Sequence, residues 1–175
     1  MSIIKCKESL HKAAIHIAQL MVAAAKTAPK GKGKETLEYL IVSDNDLQVL
    51  ADKMTEISKR DNIPFLNRDA GNIMQSELIV LIGSNTDPKN VPNCNFCGFG
   101  CDKKPVTTPC AVGATDLGIA IGSAVSTAML HKADNRIMYS AGIASLELNW
   151  FGDNISHAYG IPISLTEKSP FFDRK

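Results

Sequence analysis

Near the start of the chain, apolar residues recur at Leu10, Ala14, Ile17, Ala18 and Met21. This three-and-four spacing predicts an amphipathic helix from Glu8 to Ala25. Pro29 and the Lys30-Gly31-Lys32-Gly33 run stop it and predict a mobile loop. Tyr39 to Val42 is a short β-prone run. Ser43 reads as the N-cap of a second helix, whose buried side carries Leu47, Leu50, Ala51, Met54 and Ile57. Leu78 to Ile82, closed by Gly83, is an unbroken apolar run bounded by turn residues and predicts a buried strand. Ser84 to Pro109 carries Pro88, Pro92, Pro105 and Pro109 and reads as loop, unusually long for a compact domain.

A helical pattern returns from Asp116 to Leu130, and here Ala114, Gly118, Gly122 and Ser126 fall at four-residue intervals. Glycine weakens a helix, so this stripe predicts close packing of another backbone. A helix–helix contact inside the core is the first expectation; a subunit interface or a cofactor lying on the stripe is the alternative. Arg136 to Ser140 reads as a strand, Ile143 to Trp150 as a short helix, and Ile161-Pro162-Ile163-Ser164 as an edge strand, because proline cannot donate to a ladder. With no internal repeat and no second boundary, the pattern predicts a single α+β domain over residues 1–175. The loop 84–110 lies between a central strand and the small-residue helix.

Composition narrows the function classes. Hydrophobic residues make up 45% and charged residues 21% of the chain, with a formal net charge of +1 and no long basic run, so nucleic acid is not an expected partner. Lys5, Lys7, Glu8, His11, Lys12 and His16 interrupt the apolar positions of the amino terminus, which does not read as a signal peptide. Asp116 and many small residues argue against a membrane span at 111–130. The expected location is the cytoplasm.

That location gives meaning to the cysteines. Of five, Cys6 stands alone and reads as an isolated buried thiol. Cys94, Cys97, Cys101 and Cys110 fall within 17 residues, in the pattern C-x2-C-x3-C-x8-C. In a reducing compartment, clustered thiols are metal ligands more often than disulfides. Thiolates are soft donors that suit zinc or iron–sulfur clusters. Structural zinc sites usually pair two short knuckles across a longer spacer. Here three cysteines crowd together and the fourth arrives later, which favours a [4Fe-4S] cluster, with zinc as the competing filling. Gly98 and Gly100 permit the tight turns, and Phe96 and Phe99 flank the ligands, either shielding a cluster or packing in the core.

The stretches NCNFCGFGC, PCAVGATDLGIAIGSAVSTA, DNRIMYSAG and FFDR resemble a family of ferredoxin-domain proteins found mainly in anaerobic bacteria and archaea. The resemblance runs from the AAAKTAPKGKG segment to Arg174. A fainter one is to nitroreductase-like flavoproteins. It rests on the Ala25-Lys26-Thr27-Ala28-Pro29-Lys30 step, on Asp116 before a small-residue helix and on the closing Arg174. It implies a nitroreductase-like α+β homodimer binding FMN at the subunit interface. Lys26, Lys30 and Lys32 would then lie near the FMN phosphate, with Arg174 closing on it. Two elements differ here. No arginine-serine-arginine precedes the first helix, and Gly31-Lys32-Gly33-Lys34 replaces the flavin-contacting step.

His11 and His16 are five apart and do not form a helical metal pair; His131 and His157 have no ligand-spaced partner. Asp116 is expected to cap its helix or to sit near the cluster. The sequence therefore predicts an electron-transfer protein with one [4Fe-4S] cluster, coupled to FMN if a flavin binds. It would work with a redox partner protein or a small-molecule acceptor, away from nucleic acid and membrane. The rival class is a non-redox zinc protein holding a loop for partner binding.

Overall fold

β2, Leu78–Ser84, is buried along its whole length, as an unbroken apolar run requires of a strand covered on both sides. The computed structural model describes residues 3–171. It places β2 between β1, Leu37–Ser43, and β4, His157–Ser164. A two-residue β3, Asp134–Asn135, completes the order β1-β2-β4-β3, with every pair antiparallel. Because side chains alternate, Leu78, Val80 and Ile82 of β2 face one helical layer while Ile79 and Leu81 face the other.

The first layer holds α1, Cys6–Thr27, and α4, Ala111–Leu130. They meet through small residues, Ala14, Ala18 and Ala25 of α1 with Ala120, Ala124 and Ala128 of α4, backed by Met21, Leu117 and Ile121. The second layer holds α2, Asn45–Asp61, α3, Pro64–Ile73, and α5, Tyr139–Glu147. Leu50, Met54, Ile57, Leu66 and Ile73 fill its contact with the sheet. Each such side chain contributes roughly 1.5–3 kcal/mol on burial. α4 is, among the described residues, the one helix long and apolar enough to cross a bilayer. Its inward side packs against α1 and β2, as a core helix does.

Several expectations change. The small-residue stripe Ala114, Gly118, Gly122 and Ser126 is exposed, and a Cβ at Gly118 or Gly122 would touch nothing within 4 Å. The tight helix contact is real but is built from the alanines beside the stripe. The close backbone approach falls elsewhere, at Gly142 of α5. A Cβ there would run into the main chain at Ala158 and Tyr159 of β4. Gly160 is the matching gap on β4, where a Cβ would lie 2.7 Å from the Ala141 Cβ.

The strand expected at 136–140 is a single bridge, Met138 to Gly160, after which α5 begins at Tyr139. β4 is interior, not an edge. Gly160 exchanges hydrogen bonds with Met138, so Pro162 two residues on presents its nitrogen to the same side. There the outer chain leaves the ladder between Asn135 and Met138, and no donor is needed. Asp44, at φ +56°, occupies the N-cap position of α2 without a side-chain capping bond, while Ser43 ends β1 and donates to Asp44 Oδ2 at 2.7 Å. α3 was not foreseen; Pro64 opens it at a position where its missing N–H costs nothing. Cys6 is exposed, because the buried positions of α1 begin only at Ala14.

Gly142→Ala is expected to lose roughly 3 kcal/mol or more, since two backbones must part. Gly71→Ala, in open space on α3, is expected to gain about 0.5–1 kcal/mol. Urea unfolding of the two variants checks the contrast.

Candidate metal centre

The long loop leaves β2 at Ser84 and returns to α4 at Ala111. Its two ends are joined by Thr86, whose Oγ1 donates to the Val106 carbonyl at 2.6 Å. At its start Lys89 turns inward. The Lys89 Nζ lies 2.7 Å from Asp116 Oδ2, with the side chains 0% and 4% exposed, and donates also to the Lys34 carbonyl. Asp116 in turn accepts the Gly31 N–H on both carboxylate oxygens at 3.0 Å each. Glycine at 31 leaves room for Val112, since a Cβ there would stand 2.7 Å from Val112 Cγ1. α4 thus begins at Ala111, not at Asp116. The carboxylate is no cap; it holds together the loop, the helix and the turn after α1. The Lys30–Gly33 run is accordingly a pinned 3-10 turn over Gly31–Gly33 rather than a loose loop.

Cys110 is the N-cap of α4 and is buried. Burial by itself would push its thiol up. The main-chain N–H groups of Lys89, Gly113 and Val112, with the Lys104 ammonium behind them, outweigh that and hold the thiol below its ordinary value. Hydrogen bonds to the charged form are the dominant lowering influence. Lys104 itself is held by its hydrogen bond to the Thr108 carbonyl at 2.6 Å.

Cys94, Cys97 and Cys101 are half-buried along a string of turns. The Cys94 N–H donates to the Val91 carbonyl at 3.2 Å, Gly98 to Asn95 at 3.0 Å and Lys103 to Gly100 at 2.9 Å. Gly98, at φ +82°, allows the turn between Cys97 and Cys101. Phe96 and Phe99 are exposed, 81% and 40%, and do not pack in the core. Among the described residues no three His, Cys, Asp or Glu side chains are drawn together as a metal-holding group. The donor chemistry nonetheless fits a thiolate-bound cluster. Four soft sulfur donors share one irregular loop, and the thiol of the fourth is held below its ordinary value.

The lysines of the predicted flavin site separate. Lys30 is enclosed, its Nζ donating to the carbonyls of Ala25, Lys26 and Ala28 at 2.8–3.0 Å, so that it caps the carboxyl end of α1. Lys26 pairs with Glu35 at 2.9 Å and lies over the Tyr39 ring. Lys32, at φ +58°, reaches the Asn90 carbonyl at 3.1 Å. Lys26 and Lys32 keep exposed side chains. Arg174 lies outside the described residues. Lys89 was not anticipated, since a lysine in a proline-rich loop carries no sequence sign of burial.

The architecture is similar to several solved flavoproteins and oxidoreductases. A putative nitroreductase in complex with FMN from Desulfovibrio desulfuricans superposes with a TM-score of 0.61 at 12% identity, over 91% of this chain and 78% of that one. A BluB-like flavoprotein from Clostridium difficile gives 0.58 at 15% identity, over 95% and 83%. The hypothetical oxidoreductase YcnD from Bacillus subtilis gives 0.55 at 17%, covering 88% of this chain but only 58% of YcnD. At such identities the likeness is one of fold, and the fold is α+β and nitroreductase-like.

The sequence is more specific. The family described as "Uncharacterized protein containing a ferredoxin domain (DUF2148)" matches residues 107–174, a stretch that includes Cys110 and Asp116 but not the first three cysteines. An uncharacterized protein of Archaeoglobus fulgidus is 38% identical over 167 residues, 90% of this chain and 89% of its own. The chain belongs to this family of ferredoxin-domain proteins. The ferredoxin domain that describes this family supports a redox role.

Glu35 gives a pH test of the α1 end of the site. Burial would raise its carboxyl, but the Lys26 hydrogen bond, the Leu37 N–H and the Lys30 and Lys26 charges together hold it below the ordinary 4.5. A depressed carboxyl stabilises the fold above its unfolded value, and that contribution is lost as pH falls through the lowered one. Glu35→Gln is expected to lose roughly 1–2 kcal/mol at neutral pH and to match the native protein in acid. Thermal unfolding from about pH 7 to pH 3 measures the convergence.

Proposed function

We propose that this chain is a cytoplasmic electron-transfer protein carrying one [4Fe-4S] cluster on Cys94, Cys97, Cys101 and Cys110. One observation carries the reading. The buried Cys110 thiol stands at the start of α4, where the main-chain N–H groups of Lys89, Gly113 and Val112 hold it below its ordinary value, and it ends the loop that bears the other three thiols. N–H donors around a sulfur stabilise thiolate charge and tune the potential of a cluster bound through it. When bound, such a cluster supplies one-electron chemistry, which zinc does not. The residues of the chain supply the ligands, the hydrogen bonds and the irregular loop that lets three sulfurs turn toward the fourth.

FMN is the proposed second cofactor, with the exposed Lys26 and Lys32 side chains and Arg174 as the basic groups for its phosphate. Lys30 is turned inward onto the end of α1 and contributes to the shape of that turn. A flavin beside a cluster lets one-electron and two-electron partners exchange. The electron acceptor is then a partner protein or a small molecule. A homodimer is proposed through the exposed stripe Ala114, Gly118, Gly122 and Ser126. This is a helix face with little side chain to hold another backbone away.

Protein purified without oxygen is expected to be brown and to contain about four iron and four labile sulfide per chain. Colourless protein with a single zinc would establish the structural-metal alternative instead. Cys110→Ser is expected to lower the iron content or leave a three-iron form, read by electron paramagnetic resonance; an unchanged spectrum removes Cys110 from the ligand set. Gly122→Leu is expected to leave the monomer folded but to halve the mass seen by sedimentation at micromolar concentration. If the native chain sediments as a monomer, the stripe is not an interface.

A further inference from the structure

Across the end of β2 runs a groove of about 470 Å³ that none of the chemistry above uses. Gly83 shapes it. A Cβ there would stand 2.5 Å from Ile155 Cγ2 and 3.4 Å from Phe151 Cζ, so these side chains of the α5–β4 connection lie down on the bare strand. Glu38 of β1 stands beside Gly83 in the ladder and shares that face of the sheet with them. Thr36 extends the ladder by one rung, accepting the Asn85 N–H at 3.1 Å, and alternation turns its side chain to the same face as Glu38. Thr36 lines the groove and is only 5% exposed, yet its hydroxyl has no hydrogen-bond partner among the described residues. A hydroxyl buried without a partner is costly, and its place at the floor of a groove points to a ligand that completes it.

The charge around this hydroxyl says which kind of ligand. Glu35, Glu38, Asp87 and Asp153 line the groove, and no lysine or arginine does so among the described residues. Two of the four carboxylates are engaged. Glu35 pairs with Lys26 at 2.9 Å and accepts the Thr36 and Leu37 N–H groups, while Asp87 faces Lys34 at 3.8 Å. Glu38 and Asp153 make no ion pair among the described residues. They reach the groove from separate elements, Glu38 from β1 and Asp153 from the connection 148–156. No three acidic groups are drawn together as a metal-holding group among the described residues. The negative charge is instead spread along the groove, beside an apolar wall of Phe151 and Ile155. Spread charge beside an apolar wall suits a flexible chain that carries a cation at each end.

We propose that this groove binds a linear aliphatic diamine, one ammonium donating to the Thr36 hydroxyl and the Glu38 carboxylate, the other meeting Asp153, and the methylenes lying on Phe151 and Ile155. The ring of Phe151 adds attraction for an ammonium passing over its face. The site stands apart from the cysteine loop and needs neither cluster nor flavin.

Titration calorimetry of the full chain at low salt, with diaminobutane as the probe, tests it. Binding of diaminobutane, with butylamine roughly fivefold weaker or more, supports the proposal. Glu38→Gln and Asp153→Asn lie at exposed positions, and each is expected to weaken diaminobutane roughly threefold to tenfold. Thr36→Val is expected to weaken it too, yet to leave the melting temperature of the free protein unchanged or higher, because the hydroxyl removed has no partner there. A lower melting temperature for Thr36→Val overturns the proposal, since the hydroxyl then serves the fold. No binding at millimolar diaminobutane overturns it, as does native affinity in the combined Glu38→Gln and Asp153→Asn variant. Displacement of diaminobutane by an equal concentration of magnesium ion also overturns it and makes the groove a metal site.

Discussion

Three segments far apart in the chain meet at one buried ion pair. Lys89 comes from the start of the cysteine loop, Asp116 from α4, and the carbonyl of Lys34 and N–H of Gly31 from the turn after α1. Each charge is enclosed, so each must be matched, and removing one partner alone would leave the other stranded at high cost. This constraint fixes where the loop departs, how α4 begins and how the α1 turn closes against it. The candidate metal centre sits where those three positions are settled. The N–H groups that hold the Cys110 thiol below its ordinary value come from both sides of the junction, Lys89 on the loop and Val112 and Gly113 on the helix.

The sheet divides the labour between its faces. On one side α2, α3 and α5 close the core with larger side chains, and α5 presses its backbone onto β4 through Gly142 and Gly160. On the other side α1 and α4 meet through alanines, which bring two helices close without glycine at the contact. The face of α4 turned away from that contact is then free to be nearly bare. Ala114, Gly118, Gly122 and Ser126 lie there in the open. The chemistry and the proposed subunit contact thus share one helix, with its amino end holding a thiol and its outer stripe offering a surface.

Much of the layout was legible in the primary structure. Periodicity located α1 and α2 to within a few residues and the body of α4 without its first turn, and the unbroken apolar run marked β2 as the doubly covered strand. These features arise from local spacing and burial, which any window of sequence displays. β4, in contrast, looked like an edge because it contains Pro162. Its interior place depends on the outer chain leaving the ladder opposite that proline, a matter of long-range register. α3 is short, and its start at Pro64 was masked by a residue that more often ends helices than opens them.

The site follows the same division. The sequence by itself determined which soft donors are on offer, because four thiols at C-x2-C-x3-C-x8-C are close along the chain whatever the fold. Only the tertiary structure decided which of them is buried, which N–H groups surround it, and that Lys89 and Asp116 form the junction behind it. It also turned the glycine stripe outward and Lys30 inward. A residue's type and spacing record what it is able to bind. Which way it faces, and whether its charge is shielded from water, depends on partners 27 or 85 positions away, such as Asp116 for Lys89 and for Gly31. No local pattern encodes those partners.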